Sequence, residues 1–319
     1  KRRARCVPGD AMAAMRTQTP RLTTPRLLFA RSTRDVVKLS KEALARSEKI
    51  LAKILAVNAR RTVDNTLVPF NDLHKIVSET QNQSHLLSNL HPNATISKAC
   101  DKAFQAAVSF ENALNLNRPL YEALAALKVN REDEETRYAV FKILRDFRRA
   151  GVDRDEATRA KIQKLFDEIT AIGQEFERNV REDVRSLRVR PSELEGLPED
   201  FLASHPPAKD GLVAITTRYP DAFPVFTYAR NADVRRRLFL EFQNRAYPKN
   251  VAVLEQLLAK RHELATLLRY DHWASYITED KMIGSAKAAA DFIEKITQAA
   301  ENRVHSDLGM LLERKRKDV

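Results

Sequence analysis

The chain is poor in glycine, with 7 in 319 positions. It contains no phosphate-cradling loop, no dinucleotide fingerprint and no G-x-S-x-G nucleophile elbow, each of which needs glycines at fixed spacing. Cysteine is rarer still. Cys6 and Cys100 are the only two, too few for a disulfide framework or a thiolate metal site. No apolar run approaches the roughly 18 residues that a membrane span requires. There is no secretory h-region, internal repeat or low-complexity linker.

Histidine is also spaced unfavourably for a metal. The seven are His74, His85, His91, His205, His262, His272 and His305. None has a second histidine four residues on, and none forms H-x-H. His74 and His85 share a helix face but stand about 16 Å apart along its axis. His91 and His205 precede prolines at turns. His262-Glu263 begins like the H-E-x-x-H of a zinc peptidase, but the fifth position is Thr266. Zinc needs three converging protein ligands, so no catalytic, cofactor-binding or metal-binding residue is assigned. The acids Glu132 to Glu135 stand at a helix start, where the helix dipole favours them.

What the chain does hold is helix-forming sequence. Apolar residues make up 43%, and Ala, Leu, Glu, Lys and Arg are abundant. The net charge of +12 is uneven: nine basic residues against Asp10 put +8 into residues 1–34, leaving +4 for 35–319. The body is therefore nearly balanced, the pattern of solvated helix faces and not of a nucleic-acid groove. Residues 1–34 read as a poorly ordered basic arm. Three origins stay open: an organelle transit segment, sequence upstream of a start at Met12 or Met15, or a solvated arm.

From residue 35 the apolar spacing predicts a succession of helices, over about 35–58, 72–90, 95–115, 119–127, 132–151 and 153–184. Asn71 or Asp72 is the expected cap of the second and Asp153 of the sixth. Cys100 falls on the buried stripe of the third. The period changes at 185: "VRSLRVRPSEL" reads as a strand ended by Pro191, and "GLVAITTRYPDAFPVFTYAR" (211–230) as two short strands around a turn. A short helix lies between them, in 196–207. Helices resume over 231–246, 250–268, 271–279 and 285–317, with Ser285 as the last cap. The final stripe, Ala289, Phe292, Ile293, Ile296, Ala300, Val304, Leu308 and Leu311, has no visible partner, which reads as a cut end. The expected fold is mainly α with one small antiparallel β-ribbon near 185–230. Its regions are 1–34, 35–184, 185–230 and 231–319.

Several stretches also resemble the thimet oligopeptidase family of zinc metallopeptidases, which includes mitochondrial intermediate peptidase. Within 131–183 a helix ends in Arg-x-x-Gly, and a long helix follows that carries Ile162, Leu165, Ile169, Ile172, Phe176 and Asn179 at the family's spacing. "ELEGLPEDFLAS", "RYPDAFPVFTYARNADVRRRLFLEFQNR" and "LAKRHELATLLRYDHWASYITEDKMIGSAKAAADFIEKI" are similar to further family segments, in family order. The resemblance covers about 36–319. It implies a two-part helical fold around a deep channel that admits only short, unstructured peptides. It also implies a full-length parent in which zinc activates the attacking water. In the family the zinc helix lies beyond the segment matched by "ERKRKDV", so the catalytic half is expected to be missing. Zinc is expected in the parent and none in this chain, which alone should be inactive. Arg269 stands where the family usually has glycine, which puts a turn requiring φ > 0 in doubt. The parent is expected to be a monomer without nucleic-acid or membrane contacts. The cytoplasm is its expected compartment, or the mitochondrial matrix if the arm is a transit segment. The alternative reading is a non-catalytic helical scaffold derived from such a peptidase. The first reading predicts a reading frame that runs on past codon 319 into H-E-x-x-H; the alternative predicts a natural stop there.

Overall fold

Twelve α-helices and a two-stranded ribbon make up most of the described residues, Leu27 and 30–317, of the computed structural model. Most of the basic arm lies outside the described residues. Leu27 is fully buried and packs with Val36, Ile96 and Cys100. The fold is mainly α, as the apolar spacing predicts.

The first five helices are α1 (Thr33–Leu55), α2 (Val68–Leu90), α3 (Ala94–Asn115), α4 (Arg118–Ala125) and α5 (Glu134–Ala150). They enclose a core of Ile54, Phe70, Leu73, Leu114, Leu120, Leu124 and Phe147. Each helix but α2 begins at a side-chain cap: Ser32, Asn93, Asn117 and Asp133 accept from the first free backbone N–H groups. The expected cap at Asn71 or Asp72 is wrong. A π-helical turn, Val63–Leu67, runs straight into α2. Its start is fixed by a reciprocal pair: the Thr62 N–H donates to Asn65 Oδ1 at 2.9 Å, and the Asn65 N–H donates to Thr62 Oγ1 at 3.2 Å. Pro69 is tolerated because the first helical turn needs no N–H there. Cys100 is fully buried, and burial followed by the neighbouring Asp101 pushes its thiol up to about 11.

Two long helices cross behind this core, α6 (Glu156–Glu182) and α10 (Lys249–Leu267). Asp155, not Asp153, caps α6, accepting from the Thr158 N–H at 2.8 Å and its hydroxyl at 2.6 Å. The reason lies in the end of α5. Gly151 adopts φ = +96°, its N–H donates to Arg148 O, and the Val152 N–H donates to Phe147 O. This is a Schellman cap, closed by apolar contact between Phe147 and Val152. It occupies residues 151 and 152 and moves the next helix start on by two positions.

The ribbon joins β1 (Ser186–Val189) to β2 (Val213–Thr216), antiparallel, with Leu187 opposite Ile215 and Val189 opposite Val213. The residue period of two puts these four on one side, over α7 (Glu199–Ser204), α8 (Tyr219–Tyr228) and α9 (Ala232–Gln243), with Phe201, Val225, Val234 and Leu238 in the same core. The second strand expected within 211–230 is instead α8. Pro220 stands in its first turn, and Ala222, Val225 and Ala229 bury one helical face. Asp221 locks the turn by accepting from the Thr216 N–H and hydroxyl. The chain ends in α11 (Trp273–Thr278) and α12 (Ala286–Lys317). Ser285 caps α12, accepting from the Ala288 N–H at 3.1 Å. No residue of α12 is buried, and Phe292, Ile293, Ile296, Leu308 and Leu311 are all more than half exposed.

Two tests follow from the junctions. A Cβ on Gly151 would lie 2.7 Å from Ile162 Cδ1 and 3.0 Å from Leu268 Cδ2, besides demanding φ = +96°. Gly151→Ala should therefore cost about 2 kcal/mol or more in urea-induced unfolding. Asp183 accepts from Arg185 and, at 2.7 Å, from the N–H of Ala246, whose φ is +60°. The Arg185 hydrogen bond first, then that N–H, hold its carboxyl below its usual value. A depressed folded pKa stabilises the protein above the unfolded value near about 3.9. The stability advantage of the wild type over Asp183→Asn should hold at neutral pH and vanish as pH falls below about 4.

Candidate functional site

The seam between α6 and α10 carries the residues that most invite a functional reading. At its base Ile162, Leu165, Leu264 and Leu268 form one cluster, with Trp273 and Tyr276 packed on it. At its far end the contact turns polar. Asn179 Nδ2 donates to Asn250 Oδ1 at 2.8 Å, Asn250 Nδ2 donates to Phe176 O at 3.0 Å, and Lys249 Nζ donates to Asn179 Oδ1 at 2.8 Å. Asn179 and Asn250 are both buried. Their amides are satisfied by one another, by the Phe176 carbonyl and by Lys249, as burial requires. Sequence reasoning placed Asn179 only as a position in the family pattern; its partner Asn250 gave no signal, because nothing in its neighbourhood marks it as interior.

His262 and Glu263 are both exposed on α10. Glu263 takes a hydrogen bond from Lys260 at 3.2 Å, and Lys260 also reaches Glu168 of α6 at 2.8 Å. That hydrogen bond is the main reason the Glu168 carboxyl sits below its usual value and the Lys260 ammonium above. Leu257, Leu264, Ala265 and Leu268 face inward, whereas Leu258 is 55% exposed, in line with exposed Val251 and Leu254.

The other histidines are spread over separate places. His74 Nδ1 stands 3.6 Å from Glu111, and His85 packs against the ring of Phe104. His91 Nδ1 accepts from the Asn93 N–H, and His272 caps α11 by accepting from the Ser275 N–H at 3.1 Å. His305 is exposed on α12. Among the described residues no three His, Cys, Asp or Glu side chains converge as a metal would need. Ser204, His205 and Asp221 do lie in a row, with 3.0 Å from Ser204 Oγ to His205 Nδ1 and 3.4 Å from Nε2 to Asp221. Each is committed elsewhere: Ser204 Oγ donates to Phe201 O at 2.8 Å, the imidazole stacks on Phe201, and Asp221 holds Thr216. A catalytic serine needs a free hydroxyl facing its base, and the proton of this one is already donated to Phe201 O.

Arg269 resolves the turn left in doubt by the sequence. It adopts φ = +71°. Its N–H donates to Thr266 O and the Tyr270 N–H donates to Ala265 O, each at 2.9 Å. This is the same Schellman cap as at Gly151, built with arginine in the left-handed position. The two caps meet, since Leu268 lies against Gly151.

Residues 225–319 match the model of peptidase family M3. The chain is 27% identical over 270 residues to saccharolysin of Saccharomyces cerevisiae, covering 81% of this chain and 38% of that protein. Over 271 residues it is 27% identical to the mitochondrial intermediate peptidase of Phaeosphaeria nodorum, covering 82% of this chain and 34% of that protein. A thimet-like oligopeptidase of Dictyostelium discoideum is 23% identical over 303 residues, 92% of this chain and 45% of that protein. The chain thus spans less than half the length of each of these relatives. Among the described residues, no helix is long and apolar enough to cross a membrane.

The seam predicts a contrast between neighbours on the two faces of its helices. Asn179→Ala strands the buried Asn250 amide and should cost about 2–3 kcal/mol in chemical denaturation. His262→Ala removes an exposed ring and should stay within about 0.5 kcal/mol of the wild type.

Proposed function

We propose that this chain is the amino-terminal portion of a zinc-dependent oligopeptidase that hydrolyses short, unstructured peptides, and that it does not cleave peptides by itself. The observation that carries the reading is the order of family segments along the sequence, from the α5–α6 pair through the M3 match at 225–319. Relatives named as a mitochondrial intermediate peptidase and a thimet-like oligopeptidase, matched over most of this chain, support it. The residues present do not fit a zinc ion: the described ones bring no three ligands together, and the sequence holds no pair of histidines four apart. No catalytic step is therefore assigned to any side chain of these 319 residues. Their role is a rigid helical wall, held by the α6–α10 seam, against which a catalytic region works. The parent is proposed to act as a monomer on peptides, without nucleic acid or membrane; the near balance of charge beyond residue 34 favours this.

A non-catalytic scaffold is the second reading, favoured by the same lack of converging ligands. The reading frame beyond codon 319 separates the two. The cytoplasm is the proposed compartment. The Arg-rich, acid-poor segment 1–34 and the names of several relatives favour the mitochondrial matrix as its alternative. A fluorescent protein fused behind residues 1–34 distinguishes them by its location.

The 319-residue chain, incubated with zinc and a quenched fluorogenic peptide, should give no cleavage above the zinc-only rate. Turnover that requires zinc and stops with a chelator would contradict the proposal.

A further inference from the structure

A cavity of about 950 Å³ opens between α6 and α10, beside the lower end of their seam. Leu165 and Leu267 give it an apolar floor, and cations crowd its rim. Two of these are already neutralised: Lys260 lies 2.8 Å from Glu168 and 3.2 Å from Glu263, and Lys164 lies 3.7 Å from Glu168. Three basic side chains on the same cavity are not: Lys161, His262 and Arg269 have no ion pair or side-chain hydrogen bond among the described residues. Independently, Arg269 holds its place on the rim at φ = +71°, where glycine would be unstrained. Strain of this kind persists where the surroundings enforce it and often marks a binding site. An arginine there brings a planar fork of donors suited to a tetrahedral oxyanion.

We propose that this cavity binds a small organic phosphate, with Arg269 and Lys161 on the phosphate oxygens, His262 beside them, and Leu165 and Leu267 under the organic part. The volume lies within the usual range for small-molecule sites, roughly 300–1,000 Å³. Arg269 and His262 stand seven residues apart on one face of α10 and its cap, while Lys161 faces them from the first turns of α6. The inference does not depend on the peptidase reading, because no step of peptide cleavage enters it.

The test is calorimetric titration of the full 319-residue chain with phenyl phosphate, inorganic phosphate and acetate at matched ionic strength. Saturable binding is expected for both phosphates, tighter for phenyl phosphate, with none for acetate. Tighter binding of phenyl phosphate identifies an organic phosphate as the ligand; equal binding of the two overturns the organic part of the proposal. Arg269→Gly should weaken binding about tenfold, the loss of one charge-assisted hydrogen bond. The same variant should raise the thermal midpoint, because glycine relieves the left-handed backbone. A folded, more stable protein that binds less cannot be explained by damage to the structure. Lys161→Ala should weaken binding similarly with an unchanged midpoint. Unsaturable or absent phosphate binding, or affinity unchanged in both variants, would overturn the proposal.

Discussion

The packing of α6 against α10 is the constraint on which the rest of the structure depends. α6 follows directly from the first five helices through the Gly151 cap, and α10 leads into α11 and α12 through the Arg269 cap. Both caps meet at one point, where Leu268 and Ile162 fill the space that a side chain on Gly151 would need. Arg154 adds a hydrogen bond to Leu268 O at 3.1 Å. Arg149 joins the same region from α5, donating to Tyr276 O and pairing with Glu279 and Asp280. A long-range seam thus replaces the sheet that would organise an α/β protein. Its two ends differ in kind. The apolar end contributes burial free energy; the Asn179–Asn250 end contributes directionality, because paired amides accept only one alignment of the helices.

Much of this was legible in the sequence. The order and approximate extent of every helix but α8 follow from the sequence, chiefly from the 3.6-residue spacing of apolar residues, which burial on one face enforces. The strand at 186–189 was legible for the same reason, from its period of two and its terminating Pro191. What failed was local. Asp153 and Asp155 are equally good caps by type, and only the two-residue Schellman cap before them decides between them. Tyr219–Tyr228 mixes aromatic and β-branched residues that favour strands; tertiary burial of Ala222 and Val225 overrides that preference. Leu258 fits the inward face by composition, yet it points outward because α10 has only one packed side.

The functional side was legible in a different way. The His262-Glu263 pair drew attention because its chemistry is distinctive, and the missing second histidine already ruled out the zinc motif. Arg269 was legible only through the family pattern, which marks the position as one that needs φ > 0. The backbone keeps the turn and leaves arginine to adopt it. Asn250 and the uncommitted Lys161 carried no signal, since their meaning depends on which residues the fold sets opposite them. The match to the model of peptidase family M3 covers residues 225–319. The exposed stripe of α12 and the exposed rings of Tyr219, Phe223 and Phe239 are among the large apolar surfaces left uncovered.

If the α6–α10 seam organises the fold, it should be the last part to open. Native-state hydrogen exchange followed by mass spectrometry tests this directly. The account predicts that amides in the middle of α6 and α10 exchange together, at the free energy of global unfolding, while those of α12 exchange far faster. Exchange of α10 in step with α12, well ahead of α6, would contradict it.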